Sequence, residues 1–198
     1  MTQSQYTVGM FIFENVEVLD FCGPFEVFNI CSTEHGPAPH AFTIKLIAES
    51  LDPVATRGGM RVLPDATIAE HPPVDLLIIP GGPGVRTVIQ NAAVIKWLAQ
   101  VQPQIAIASV CTGSLLLAEA QRLDGHQATT HYASYEWLEE YERVTVLRGA
   151  RFIDNDTVLT SAGVSAGIDM SLHLVGRLLG TDIARWTAER MEYTPQST

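Results

Sequence analysis

A side chain that must attack a substrate is best presented where a buried strand turns sharply into a helix, and the segment IAIASVCTGSLLL (Ile105 to Leu117) has that form. The strand ends at Val110, Cys111 follows at once, and Gly113 and Ser114 are small enough for a helix to start close by. In open α/β sheets the carboxyl edge of the strands is where ligands bind. The helix N-terminus adds unpaired N–H groups and partial positive charge, which favour a thiolate. Cys111 is therefore expected to be more acidic than a free cysteine near ~8.5 and to act as a nucleophile. Cys22 and Cys31 read as ordinary helix residues.

Two further groups fall on the same sheet edge. Asp20, in LDFCGP, lies between the first strand and the first helix. It can hydrogen-bond the sulfur or move a proton, or it can serve as the N-cap of a helix beginning at Pro24; the residues alone leave both open. Its apolar neighbours Leu19 and Phe21 would raise its pKa by burial. Gly81–Gly82–Pro83–Gly84 follows another strand, and the N–H groups of Gly81 and Gly82 could hold developing negative charge, although a Gly-rich turn is often only a turn. It is neither a P-loop nor GxGxxG. His131, in ATTH, could be a base for the thiol or a structural residue, and His35, His40, His71, His126 and His173 form no constellation.

Alternating apolar and helix-like segments must position these groups. Strands are expected at Thr7 to Phe13, Phe42 to Ala48, Val74 to Pro80 and Ile105 to Val110, with a hairpin of Val54 to Thr56 and Met60 to Leu63 around RGG. Later strands are expected at Val144 to Leu147, Ala150 to Ile153 and Thr157 to Ser161. Helices are expected at Gly23 to Cys31, Thr87 to Gln100, Thr112 to Ala120, Glu136 to Tyr141, Val164 to Leu179 and Ile183 to Met191. This alternation implies an α/β three-layer sandwich with a mostly parallel central sheet.

Length and composition narrow the function classes. With 198 residues, 46% of them hydrophobic and 17% charged, the chain fits one globular domain, 1–198, rather than a disordered one. A net charge of −10 argues against nucleic-acid binding, which needs clustered Lys and Arg. Three cysteines with no CxxC give no disulfide framework and no zinc site. The N-terminus has no basic n-region and no apolar run approaches the ~20 residues of a membrane helix, so a cytoplasmic location without membrane contact is expected.

Together, VLDFCGPFEVF, IIPGGPG, ASVCTGSLLLAEA, LDGHQATTHY and TSAGVSAGIDMSLHLV resemble the ThiJ/PfpI superfamily, within the class I glutamine amidotransferase-like fold, from Val8 to Tyr193. The branch they most resemble is that of the isocyanide hydratases, which convert an isocyanide to an N-substituted formamide. The resemblance implies a flavodoxin-like sandwich with a nucleophile elbow and a homodimer. It assigns Cys111 as nucleophile, Asp20 as the acid contacting its sulfur, Thr112 as a residue that holds the site, Gly81 and Gly82 as the turn facing the thiol, and Gly163 as part of a flexible pocket segment. Pro83 and Ser165 stand where threonines are expected, and His131 aligns with the histidine of Cys–His members. The same motifs occur in AraC-type regulators, which carry a helix-turn-helix domain. This chain reads to Thr198 and is acidic, which tilts the expectation towards a stand-alone enzyme.

The expected reaction adds Cys111 to the isocyanide carbon with a proton from Asp20, giving a thioimidate that Asp20-activated water hydrolyses. The substrate is then a small neutral molecule in an uncharged pocket, and no metal or organic cofactor is needed. The rivals are a glyoxalase or amidase/peptidase using Cys111 with His131, and a non-catalytic ligand-binding or thiol redox-sensing domain.

Overall fold

The computed structural model describes residues 6–196. The chain runs β1 (Tyr6–Phe11), α1 (Val18–Cys31), β2 (Phe42–Ala48), β3 (Val54–Ala55), β4 (Arg61–Val62), β5 (Ala66–Thr67), β6 (Leu76–Ile79), α2 (Val85–Val88), α3 (Ala92–Gln100), β7 (Ala106–Val110) and α4 (Gly113–Glu119). It continues through β8 (Gln127–Ala128), a 3-10 turn at Tyr132–Ser134, α5 (Tyr135–Glu139), β9 (Thr145–Val146), β10 (Phe152–Asn155), β11 (Val158–Ser161), α6 (Ala166–Leu179) and α7 (Thr181–Arg190).

Seven strands form one sheet in the order β10-β11-β7-β6-β1-β2-β5, and only the edge pair β10–β11 is antiparallel. The central strands β6 and β7 are buried along their whole length, as parallel strands are when helices cover both faces. From β1 the chain crosses to β2 in one direction, whereas from β6 it crosses to β7 in the other. Right-handed crossovers in opposite directions put their helices on opposite faces. Thus α1 packs with α6 and α7, while α2, α3 and α5 gather round α4. The order reverses between β1 and β6, so the crevice beyond their carboxyl ends is the place for a ligand.

The alternation read from sequence is the alternation found, and the RGG hairpin forms with Gly58 and Gly59 both at positive φ. Two helices differ in their bounds, and one strand was not foreseen, for identifiable reasons. The helix expected from Gly23 starts at Val18, so Pro24 lies inside it and not at its first position. Pro24 has no N–H for the Asp20 carbonyl, and its ring packs near Gly167 of α6; a helix tolerates this lost bond when tertiary packing supports it. The segment expected as one helix from Thr87 to Gln100 is broken at Asn91, whose side chain accepts from the N–H groups of Ala93 and Val94 and restarts the helix as α3. The two-residue β5 is too short to leave a periodic signal.

Gly113 shows how tightly the elbow is built. A Cβ there would overlap the main-chain carbonyls of Ile79 and Pro80, so β6 and the start of α4 approach backbone to backbone. Gly113→Ala is expected to cost more than about 2 kcal/mol, because neither partner is a side chain that can move aside. A lowered urea midpoint at unchanged m-value would show it; an unchanged midpoint would contradict the close approach.

Candidate active site

Four loops meet at the carboxyl edge of the sheet, after β1, β6, β7 and β11, and each contributes to one small site. Cys111 is the pivot. Its φ of 58° lies in the left-handed region, an uncommon conformation for a residue with a side chain. Such strain costs about 1–3 kcal/mol and persists only when its surroundings over-determine it. Here the Cys111 N–H donates to the carbonyls of Ser161 and Ala162, at 3.1 and 3.0 Å. The Cys111 carbonyl accepts from the hydroxyls of Thr130 at 3.0 Å and Ser114 at 3.1 Å. These bonds tie the elbow to β11, to the segment before His131 and to α4.

Asp20 sits in the first turn of α1, whose N-cap is Glu17, so it caps nothing and is free for chemistry. It is fully buried although its neighbour Leu19 is partly exposed. Its Oδ2 accepts from the Gly81 N–H at 2.9 Å. Its Oδ1 is buried without a hydrogen-bond partner. Burial raises Asp20 to a pKa of about 7, helped by the charge of Glu17 and opposed by the Gly81 N–H and, more weakly, by the Cys111 thiol.

The thiol departs from expectation. Burial, followed by the negative charge of Asp20, pushes Cys111 up to about 12. The N–H groups of Thr112 and Val164 and the Thr112 hydroxyl favour the thiolate as foreseen for a helix start, and they are outweighed. The resting pair is therefore a thiol beside a carboxyl that titrates near neutrality. Cys31 is buried, with its thiol pushed up to about 11 and directed at the Phe28 carbonyl, and Cys22 is half-buried; neither lines the cavity at Cys111.

The glycine turn also has a different role from the one expected. The Gly81 N–H is occupied by Asp20, and the Gly82 N–H donates to Thr112 Oγ1 at 3.0 Å. Neither is free to bind an oxyanion; together they position Asp20 and Thr112. Gly82 has φ 122°, and a Cβ there would run into the backbone of Glu17. Gly163 abuts the His131 ring so closely that a Cβ would overlap it. His131 Nδ1 accepts from the Ala133 N–H at 3.3 Å, and the ring lines the cavity without a hydrogen bond to Cys111.

The cavity over Cys111 has a volume of about 250 Å³. Besides Cys111, Thr112, Gly82 and His131, its wall contains Glu17, Arg57, Arg86, Trp137 and Val164, none of which was singled out in the sequence. Val164, at φ 48°, lies in the loop after β11; the others come from segments far from Cys111 in sequence and carry no motif. The pocket is not uncharged, as had been expected, since Glu17, Arg57 and Arg86 stand at it. A larger groove of about 520 Å³ between α6, α7 and the C-terminal segment holds none of the site residues. Among the described residues no group of His, Cys, Asp and Glu is arranged to hold a metal ion, and no helix is long and apolar enough to cross a membrane.

Comparison with known proteins places the chain in a family. An isonitrile hydratase from Pseudomonas putida is 31% identical over 95% of this chain and 78% of its own length. The HTH-type transcriptional regulator GbdR of Pseudomonas aeruginosa is 28% identical over 94% of this chain, which spans 50% of the regulator. The crystal structure of a ThiJ/PfpI family protein from Pseudomonas syringae superposes with a TM-score of 0.87 at 28% identity, over 98% of this chain and 78% of that one. Residues 6–177 match the model of the DJ-1/PfpI family, to which this chain belongs.

Proposed function

We propose that the protein hydrates isocyanides (isonitriles) to N-substituted formamides through a covalent Cys111 intermediate. The observation that carries this reading is the Asp20–Cys111 pair: a buried carboxyl with one oxygen fixed by Gly81, the other unpartnered, and a pKa of about 7 beside a strained cysteine. The similarity to an isonitrile hydratase supports it.

The chemistry follows from the proton balance. With the thiol near 12 and the carboxyl near 7, the proton rests on sulfur. As the sulfur attacks the terminal isocyanide carbon, Asp20 takes the thiol proton and delivers it to that carbon, leaving a thioimidate, Cys111–S–CH=N–R. The carboxylate then accepts a proton from a water that adds to the same carbon and passes that proton to the nitrogen, giving Cys111–S–CH(OH)–NH–R, whose hydroxyl proton returns through Asp20 to the departing sulfur. The tetrahedral adduct expels sulfur, the C–S bond breaks, and N-formyl product leaves with the thiol restored. One water is consumed and no electrons leave the site, so no cofactor is required. A homodimer in the cytoplasm completes the reading.

The test is incubation with cyclohexyl or p-nitrophenyl isocyanide. Formamide should accumulate, and intact-protein mass spectrometry should catch an adduct of one substrate mass on Cys111. Absence of both would overturn the proposal. A second reading, a ligand-binding regulator domain, draws on the match to GbdR; binding without turnover would favour it. The Cys–His alternative finds less support, because His131 makes no hydrogen bond to the thiol and is bonded instead to its own turn.

A further inference from the structure

Arg86 is the second residue of α2, and its guanidinium lies over the Trp137 ring of α5, 5.1 Å from the ring centroid. Both side chains line the cavity that contains Cys111. The other arginine there, Arg57, is matched by Glu17 at 2.6 Å. Arg86 has no acidic partner within 4 Å among the described residues. A chain of net charge −10 thus keeps a surplus cation at the wall of its small reactive pocket. Trp137 holds one face of the guanidinium, which leaves its in-plane N–H donors for a planar anion.

We propose that the site selects isocyanides bearing a carboxylate remote from the reacting carbon, with Arg86 as the specificity-determining residue. This deepens the hydratase reading and rests on it. A carboxylate matches the fork geometry with two parallel N–H···O bonds, whereas an uncharged ring meets only the apolar wall. Substitution of the remote group leaves the chemistry at Cys111 and Asp20 unaltered, so discrimination enters through binding.

The experiment compares 4-formamidobenzoate with formanilide, its neutral counterpart, by titration calorimetry, and compares turnover of the two parent isocyanides. Wild-type protein should bind the acid about tenfold or more tightly at low salt, an advantage that shrinks as salt is added. In Arg86→Met the two affinities should become equal within about twofold, and Arg86→Lys should restore part of the difference by charge alone. Equal affinities in the wild type, or a preference that survives in Arg86→Met, would overturn the anion site. Preference for the acid without turnover of either isocyanide would keep the anion site and remove the hydratase reading; turnover of both with equal affinities would do the reverse.

Discussion

Cys111→Ala is expected to abolish isocyanide turnover, with a loss of at least about 10⁴-fold, since no other group in the cavity can form the covalent intermediate. Cys22 and Cys31 cannot substitute, because they lie in α1 and neither lines the cavity. Cys111→Ser should be nearly as inactive: a carboxylate with a pKa of about 7 is far too weak a base for a serine hydroxyl. Neither replacement should unfold the chain, because the elbow is held by main-chain and hydroxyl bonds that do not involve the sulfur. Cys111→Gly makes the strain visible. Glycine accepts φ 58° without penalty, so this inactive variant should be about 1 kcal/mol more stable than the parent in urea unfolding. Turnover above about one hundredth of wild type in Cys111→Ala would sink the covalent mechanism.

Asp20→Asn carries the second large expected effect, with opposite signs for activity and stability. Turnover should fall by about 10²–10⁴, the usual worth of a positioned acid–base group. In the wild type, attack requires the carboxylate to take the thiol proton, so kcat/KM should rise with pH through about 7. The rising limb should be missing from the variant.

Stability runs the other way. The folded protein holds the Asp20 proton up to about pH 7, whereas the unfolded chain releases it near 3.8. Between those values the folded state binds more protons, so its stability falls as pH rises, by roughly 4 kcal/mol across the window. Asparagine carries no charge and escapes this loss. The melting temperature of Asp20→Asn should therefore exceed that of wild type by more at pH 8 than at pH 5, with the gap widening by roughly 2–3 kcal/mol in free energy. A gap that stays constant with pH would mean that the carboxyl is not held near neutrality. The site thus stores free energy in two adjacent places, a left-handed cysteine and a buried acid, in the manner expected where function opposes stability.

Much of this was legible in the chain. The apolar runs of β6 and β7 and the small residues after Cys111 prescribe strands, helix start and elbow, because burial and close approach act locally and leave a pattern in sequence. Asp20 was recognisable as a site residue, but its place was not: Pro24 reads locally as a helix start, and only packing against α6 lets the helix run on from Val18. Gly81 and Gly82 looked like free donors because a turn shows its N–H groups and not their acceptors, which lie on α1 and beside Cys111.

By itself, then, the amino-acid order determined the α/β class, the parallel sheet and the cysteine elbow at the end of β7, since these depend on hydrophobic periodicity and on residue size at one turn. Tertiary structure decided the chemistry. The thiol's acidity was set by burial and by Asp20, which outweigh the helix start that the sequence displays. The charge of the pocket was set by Glu17, Arg57 and Arg86, brought from three segments far apart in sequence. Desolvation and Coulomb interactions depend on distance through space, and no spacing along the chain encodes that distance.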